Sequence, residues 1–279
     1  MGLRHGLVAP SGYEIVAGDE AQIEARLTAW LAGCTTLVQQ FAAKEDVYAT
    51  FASSVFGFPV DPKVHKVHRF IGKTGVLGLG YQCGVDRFYN MVVTSSRLYG
   101  ISLDDVGWTR ELAERTVQEF RSKYHEIKKL WYTLQGATEG AWMQPGIEMW
   151  VGPVRITQGR IDGPSGLPMV YGNPRFEDDE YCYTYGRFKY KMYGGKMLEN
   201  IIQNLAYTVI MNAALRMADH GYNFAGQVHD ELIYVVPERD VDEFKKILYR
   251  ELVKPPSWGL DIPLNAEVKS GHSYGECKP

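Results

Sequence analysis

Long hydrophobic runs are missing from the sequence: nothing in it approaches the roughly 18 consecutive apolar residues of a membrane helix, which excludes a helical membrane span. The opening Met1-Gly2-Leu3-Arg4-His5 has no apolar stretch of the kind that marks a secretory signal. Cysteine is scarce. Cys34, Cys83, Cys182 and Cys277 lie far apart without C-x-x-C spacing, which argues against a zinc ribbon or disulfide scaffold and fits reduced thiols in a cytosol. Neither sign of charge dominates: 30 Lys and Arg against 33 Asp and Glu leave a formal net charge of −3, so any attraction to a polyanion must be local. Internal repeats and low-complexity tracts are also lacking. What remains is 279 residues of ordinary globular composition, 45% apolar and 13% aromatic, enough for one large domain or two modest ones.

Periodicity predicts mixed structure. Tyr13-Glu14-Ile15-Val16-Ala17 reads as a strand behind the turn Ala9-Pro10-Ser11-Gly12, and Ile23, Leu27, Trp30 and Leu31 recur at helical spacing up to Gly33. Asp19 stands at the join, where an N-cap is its commonest role. Helices are predicted over 45–57, 64–80 and 104–134, hairpins and loops over 140–185, and helices again over 193–220 and 241–252. Gly72, Gly75, Gly78 and Gly80 crowd one predicted helix, which implies that something approaches its backbone closely. Two β-prone runs, 224–228 and 232–236, flank His229-Asp230-Glu231, a hairpin with acids at its tip, and a last strand is expected over 262–269. Without a regular βαβ beat the class is α+β. Trp30, Trp131 and the Ile201–Leu205 set read as core.

Two basic clusters stand out. Lys63, Lys66, Arg69 and Lys73 run without an acid, and Arg187, Lys189, Lys191 and Lys196 are interleaved with Tyr185, Tyr190 and Tyr193. Such mixtures suit a phosphate backbone with stacked bases, although a charge run alone is more often a solvated face. In the first cluster Arg69, Lys73, Leu77 and Tyr81 recur every fourth residue, about three turns along one helix face. Two cations, an apolar side chain and a ring in line could grip the phosphates and base of one nucleotide. Asp19 and Asp230, brought together from separate strands, would be the carboxylate pair that two magnesium ions need for phosphoryl transfer.

Three ordered segments resemble the motifs of family A DNA polymerases, the DNA polymerase I-like group, and especially its phage and prophage members. The first is Ala9-Pro10-Ser11-Gly12 leading into Asp19-Glu20-Ala21-Gln22-Ile23-Glu24-Ala25-Arg26. The second is Arg69-x-x-x-Lys73-x-x-x-Leu77-Gly78-x-x-Tyr81, and the third Gln227-Val228-His229-Asp230-Glu231-Leu232. Tyr193-Gly194-Gly195-Lys196 through Gln203 looks like the phage branch. The resemblance implies a right-hand fold in which an antiparallel palm sheet (1–36 and 191–279) joins mostly helical fingers with connecting hairpins (37–190). The sequence opens eighteen residues before Asp19, so thumb and exonuclease are expected to be absent.

The same resemblance implies site roles. Asp19, Asp230 and the backbone carbonyl of Glu20 would ligate two Mg²⁺ ions, with Mn²⁺ able to substitute, and Glu231 would assist. Arg69 and Lys73 would hold the triphosphate, with Lys73 also protonating pyrophosphate. Leu77 stands where the family usually has Phe or Tyr against the nucleotide. Tyr81 would lie near the templating base, and Glu24 would exclude a ribose 2′-hydroxyl. Gln203, Gln227 and His229 would contact DNA at the primer terminus. Glu20-Ala21 replaces a more usual Tyr-Ser, and Gln82 a Gly. The implied partners are primer-template DNA, deoxynucleoside triphosphates and a separate chain supplying thumb and exonuclease; the implied place is the cytoplasm, the host's if phage-encoded. Two other readings stay open: a DNA-binding half of a split polymerase that needs a partner to catalyse, and a metal-dependent hydrolase on the His-Asp-Glu tip.

Overall fold

The computed structural model describes residues 3–277. In chain order the first elements are β1 (Tyr13–Glu20), α1 (Ile23–Ala32), α2 (Thr35–Ala42), α3 (Val47–Phe56), α4 (Lys66–Leu79), α5 (Val85–Tyr99), α6 (Arg110–Lys123) and α7 (His125–Met143). Short strands follow: β2 (Met149–Val151), β3 (Val154–Thr157), β4 (Arg160–Asp162), β5 (Pro168–Val170), β6 (Gly172–Glu177), β7 (Glu180–Tyr185) and β8 (Phe188–Lys191). Last come α8 (Gly194–Asp219), β9 (Gly226–Val228), β10 (Glu231–Pro237), α9 (Val241–Leu252) and β11 (Ala266–Gly271). The α+β class is as the sequence predicts. The chain divides into two compact units, Met1–Ile23 with Asn204–Pro279, and Glu24–Gln203. Among the described residues no helix is long and apolar enough to cross a membrane.

The first unit is built on an antiparallel sheet in the order β11-β1-β10-β9. Side chains alternate across a strand, so each face has its own core. On one face Val16, Leu232, Tyr234 and Val236 pack under α9 and the C-terminal part of α8, against Phe244, Leu248, Ile210 and Met217. On the other, Ile15, Ala17 and Ile233 gather with Tyr274 and Cys277. Gly18 belongs to the helix-covered face, and a Cβ there would come 2.7 Å from Leu252 Cδ1, so the leucines of α9 pack directly onto the β1 backbone at this point.

In the second unit Gly72 and Gly75 of α4 mark where α3 crosses it, and Gly78 faces Met91 of α5. A Cβ on Gly72 would collide with the Tyr48 carbonyl oxygen, and one on Gly75 would lie 2.6 Å from Phe51 Cε1. Phe51 in turn meets the rings of Phe120 and Tyr124, both at 5.9 Å. The expected 104–134 helix is two helices, because the chain leaves helical geometry at Tyr124 (φ −116°), whose ring is wholly buried. Helix α7 continues to Met143, so the strands begin at Met149, later than expected. In the first unit the last strand starts at Ala266, not Ile262, beyond Pro263, a residue with no N–H for the ladder. Trp131 and Ile201, Ile202 and Leu205 are buried as expected, whereas Trp30 is only half-buried.

Candidate functional site

In the first unit the two motif aspartates lie at one end of the sheet. Asp19 belongs to β1 itself, four residues before the start of α1, so it is not that helix's N-cap. It stands directly across the β1–β10 ladder from Glu231. The neighbouring Glu20 N–H donates to the Asp230 carbonyl at 3.1 Å, which ties the end of β1 to the turn carrying Asp230. That turn is tight, since Val228 pairs with Glu231 and only His229 and Asp230 lie between. His229 takes it at φ +54°, a left-handed conformation in which His is commoner than most residues.

Burial separates the acids. Asp19 and Asp230 are half-buried, whereas Glu20 and Glu231 are each 1% exposed. Alternation puts Glu20 on the helix-covered face and Asp19 and Glu231 on the other. There Glu231 Oε2 accepts a 2.6 Å hydrogen bond from the hydroxyl of Tyr274, just beyond β11. Gln227 on β9 donates through Nε2 to the His229 carbonyl at 3.1 Å, while the His229 side chain is exposed. Sequence reasoning missed Tyr274, because no spacing connects it to Glu231; only the sheet does.

In the second unit a cleft of ≈ 630 Å³ runs along α4. Arg69, Lys73, Leu77 and Tyr81 all line it, as their fourfold spacing predicts. So do Lys66, Arg87, Tyr193 and Glu199. Arg87 sits at the start of α5 and had no signal in the sequence pattern. Arg69 Nε donates to Asp46 Oδ2 at 2.6 Å, its guanidinium lies over the Tyr48 ring at 5.4 Å, and Asp46 also caps α3 through the Ala49 N–H. Lys66, Lys73 and Arg87 make no ion pair among the described residues. Glu24, in the first turn of α1, accepts a 2.9 Å hydrogen bond from the Tyr81 hydroxyl. Burial, helped by the Glu24 charge, drives the Tyr81 phenol far above its ordinary range, so it stays a donor. Gln203 is exposed on α8, outside this cleft.

The second basic cluster behaves differently. Lys189 pairs with Glu177 at 2.8 Å and Asp178 at 2.9 Å, Lys191 with Glu180, and Lys196 with Glu199 at 3.1 Å. The acids on β6 and β7 face strand β8, so a run without acids in the sequence is matched by acids across the sheet. Three of the cluster's four cations are thus ion-paired, and Arg187 lies over the Phe188 ring at 5.3 Å.

Comparison with known proteins gives a consistent picture. Residues 1–143 match the sequence model of DNA polymerase family A. The chain is 27% identical over 289 residues to a DNA polymerase of Bacillus phage SP02, covering 95% of this chain and 42% of that protein. It is 24% identical over 281 residues to the thermostable DNA polymerase I of Thermus filiformis, covering 99% and 29%. Among solved structures it matches the POL domain of Pol1 from M. smegmatis, in complex with DNA primer-template and dNTP, with a TM-score of 0.67 and 21% identity over 99% of this chain and 42% of that one. The chain thus spans less than half the length of each of these relatives.

Proposed function

This chain belongs to DNA polymerase family A, and we propose that it carries out template-directed DNA synthesis, joining a deoxynucleotide to a primer 3′-hydroxyl with release of pyrophosphate. The observation that carries the proposal is the α4 cleft. Lys66, Arg69, Lys73 and Arg87 line it against a single carboxylate, Glu199, already paired with Lys196. A concave surface with that surplus of cations suits a polyphosphate.

Each residue has a task under this reading. Arg69 presents five N–H donors, and Asp46 engages its Nε, so the fork is oriented as it meets the phosphates. Lys73 binds the triphosphate and gives a proton to the departing pyrophosphate. Leu77 supplies apolar contact to sugar and base without ring stacking. Tyr81 lies by the templating base and holds the Glu24 carboxylate under the sugar, where a 2′-hydroxyl would clash. Gln203, Gln227 and His229 contact DNA at the primer terminus. Residues 1–36 and 191–279 form the palm, and 37–190 the fingers with their hairpins. Primer-template DNA and deoxynucleoside triphosphates are the substrates.

The acids of the sheet fit a divalent metal pair. Among the described residues no third His, Cys, Asp or Glu joins them in a ready cage. Mg²⁺ usually takes one or two carboxylates completed by substrate phosphates and water, which is what Asp19 and Asp230 offer. These two, with the Glu20 carbonyl, would hold the ions, and Glu231, fixed by Tyr274, stands next to them. When bound, such ions acidify the attacking hydroxyl and neutralise charge on the leaving group.

The test is primer extension with Mg²⁺, by the chain alone and with a second chain that grips the duplex. Extension in either setting, abolished by Lys73→Ala together with triphosphate binding, supports the proposal. Salt-dependent DNA binding without extension in both settings overturns it.

A further inference from the structure

We propose that Gln82 is a positioning residue for the nucleotide site, fastening Tyr81 to the first turn of α8. The inference rests on the reading of the α4 cleft as a triphosphate site. Gln82 Oε1 accepts the Gly195 N–H at 2.9 Å across 113 residues of sequence. The first N–H groups of a helix have no partner within it, so Gln82 does for α8 what a neighbouring cap residue does for most helices. It does so at φ +64°, a left-handed backbone that disfavours any residue with a Cβ. Glycine would be easier there, but it has no side chain to reach α8. Strain of this sort, held in place by its surroundings at the edge of a cleft, points to a functional constraint.

The surroundings are tight on both sides. A Cβ on Gly195 would collide with Gln82 Cβ and come 2.5 Å from the Tyr81 carbonyl oxygen, and a Cβ on Gly194 would collide with the Trp131 backbone. The Trp131 indole N–H donates to the Gly80 carbonyl at 2.6 Å and so satisfies a carbonyl at the end of α4. Tyr81 is therefore pinned from α7 at the residue before it and from α8 at the residue after it. Tyr81 lines the cleft from the α4 side, and Tyr193 and Glu199 from the α8 side. The Gln82–Gly195 bond sets the separation of these two walls, and it holds the Tyr81 hydroxyl where it meets Glu24.

The test compares the whole chain with Gln82→Leu, which loses the acceptor but keeps similar bulk, and Gln82→Glu, which keeps an acceptor. Three quantities are read: amide hydrogen exchange at Gly195, equilibrium binding of Mg²⁺–dATP by calorimetry, and the melting temperature. In Gln82→Leu the Gly195 amide loses protection, and the dissociation constant for Mg²⁺–dATP rises roughly two- to tenfold, the range set by one hydrogen bond. In Gln82→Glu the protection returns and the affinity moves back toward wild type. Unchanged dATP affinity in Gln82→Leu overturns the proposal even if its melting temperature falls, since the bond would then be structural only. So does a Gln82→Glu that protects Gly195 yet binds no better than Gln82→Leu. A wild-type chain that binds no Mg²⁺–dATP removes the triphosphate reading itself, and the role of Gln82 falls with it.

Discussion

The hydroxyl of Tyr81 donates to Oε2 of Glu24 at 2.9 Å, linking the residue just past α4 to the first turn of α1, 57 positions away in sequence. Tyr81 lines the α4 cleft and Glu24 does not, so the bond runs from the cleft wall back into the fold. If Glu24 governs the sugar, Tyr81 governs Glu24.

Under the proposed function, sugar selection would depend on the pair as a unit. Glu24→Ala is expected to raise ribonucleotide incorporation relative to deoxynucleotide by about tenfold or more, and Tyr81→Phe by a smaller factor. Because the two side chains touch, their effects should not add, with a coupling of about 0.5–3 kcal/mol in a double-mutant cycle. Single-nucleotide incorporation kinetics with matched triphosphates measure this, and strictly additive effects would separate Tyr81 from the role of Glu24.

Asp19→Asn and Asp230→Asn should each reduce primer extension at least about a hundredfold, the scale seen when one group stabilising transition-state charge is lost. Asn is nearly isosteric with Asp, and the β1–β10 ladder runs through the backbone, so circular dichroism and melting should stay near wild type. Extension at wild-type rates by either variant would disprove the metal assignment.

Acid should loosen the junction of α8 and α9. Glu251 is buried, which alone would raise its pKa, but hydrogen bonds from Arg250, His220 and Arg216 outweigh burial and hold its carboxyl below the ordinary 4.5. A depressed carboxyl contributes stability that is complete above its unfolded value and fades as pH falls through the folded one. Melting temperatures should thus decline below about pH 4.5. In Glu251→Gln that decline should be shallower, and an unchanged acid limb would rule Glu251 out as its source.

All four thiols should be inert in the native state. Each is buried, and burial pushes Cys34 up to about 11 and raises Cys83 and Cys277 as well. Little thiolate of Cys34, Cys83 or Cys277 then exists at pH 8, and Cys182 is fully buried, so an aromatic disulfide reagent should titrate no thiol within minutes until denaturant is added. Rapid native labelling of any one would contradict this burial.

The sequence was most legible where local pattern and local structure coincide. Arg69, Lys73 and Leu77 lie on one helix and Tyr81 directly follows its end, so periodicity alone predicted which four side chains share a cleft. The strand runs around His229-Asp230-Glu231 fold as the expected hairpin for the same reason. Contacts made across the fold were not legible. Lys189 and Lys191 read as an open basic patch because Glu177, Asp178 and Glu180 oppose them only once β6, β7 and β8 pair. The glycines of α4 implied a close approach, but only the structure identifies Tyr48, Phe51 and Met91 as what approaches. Helix α5 escaped notice because its buried stripe is just Phe88, Val92 and Ser96, too thin for periodicity to register.

The indole of Trp131 makes the end of α4 optically readable. Its N–H sits on the Gly80 carbonyl inside a buried shell, one residue before Tyr81. Replacing the other five tryptophans would leave a chain whose ultraviolet emission comes from that one junction. Any departure of Gly80 from the indole would then register as a change in colour and lifetime, so a rearrangement of that junction on nucleotide addition could be timed in stopped flow without attaching a dye.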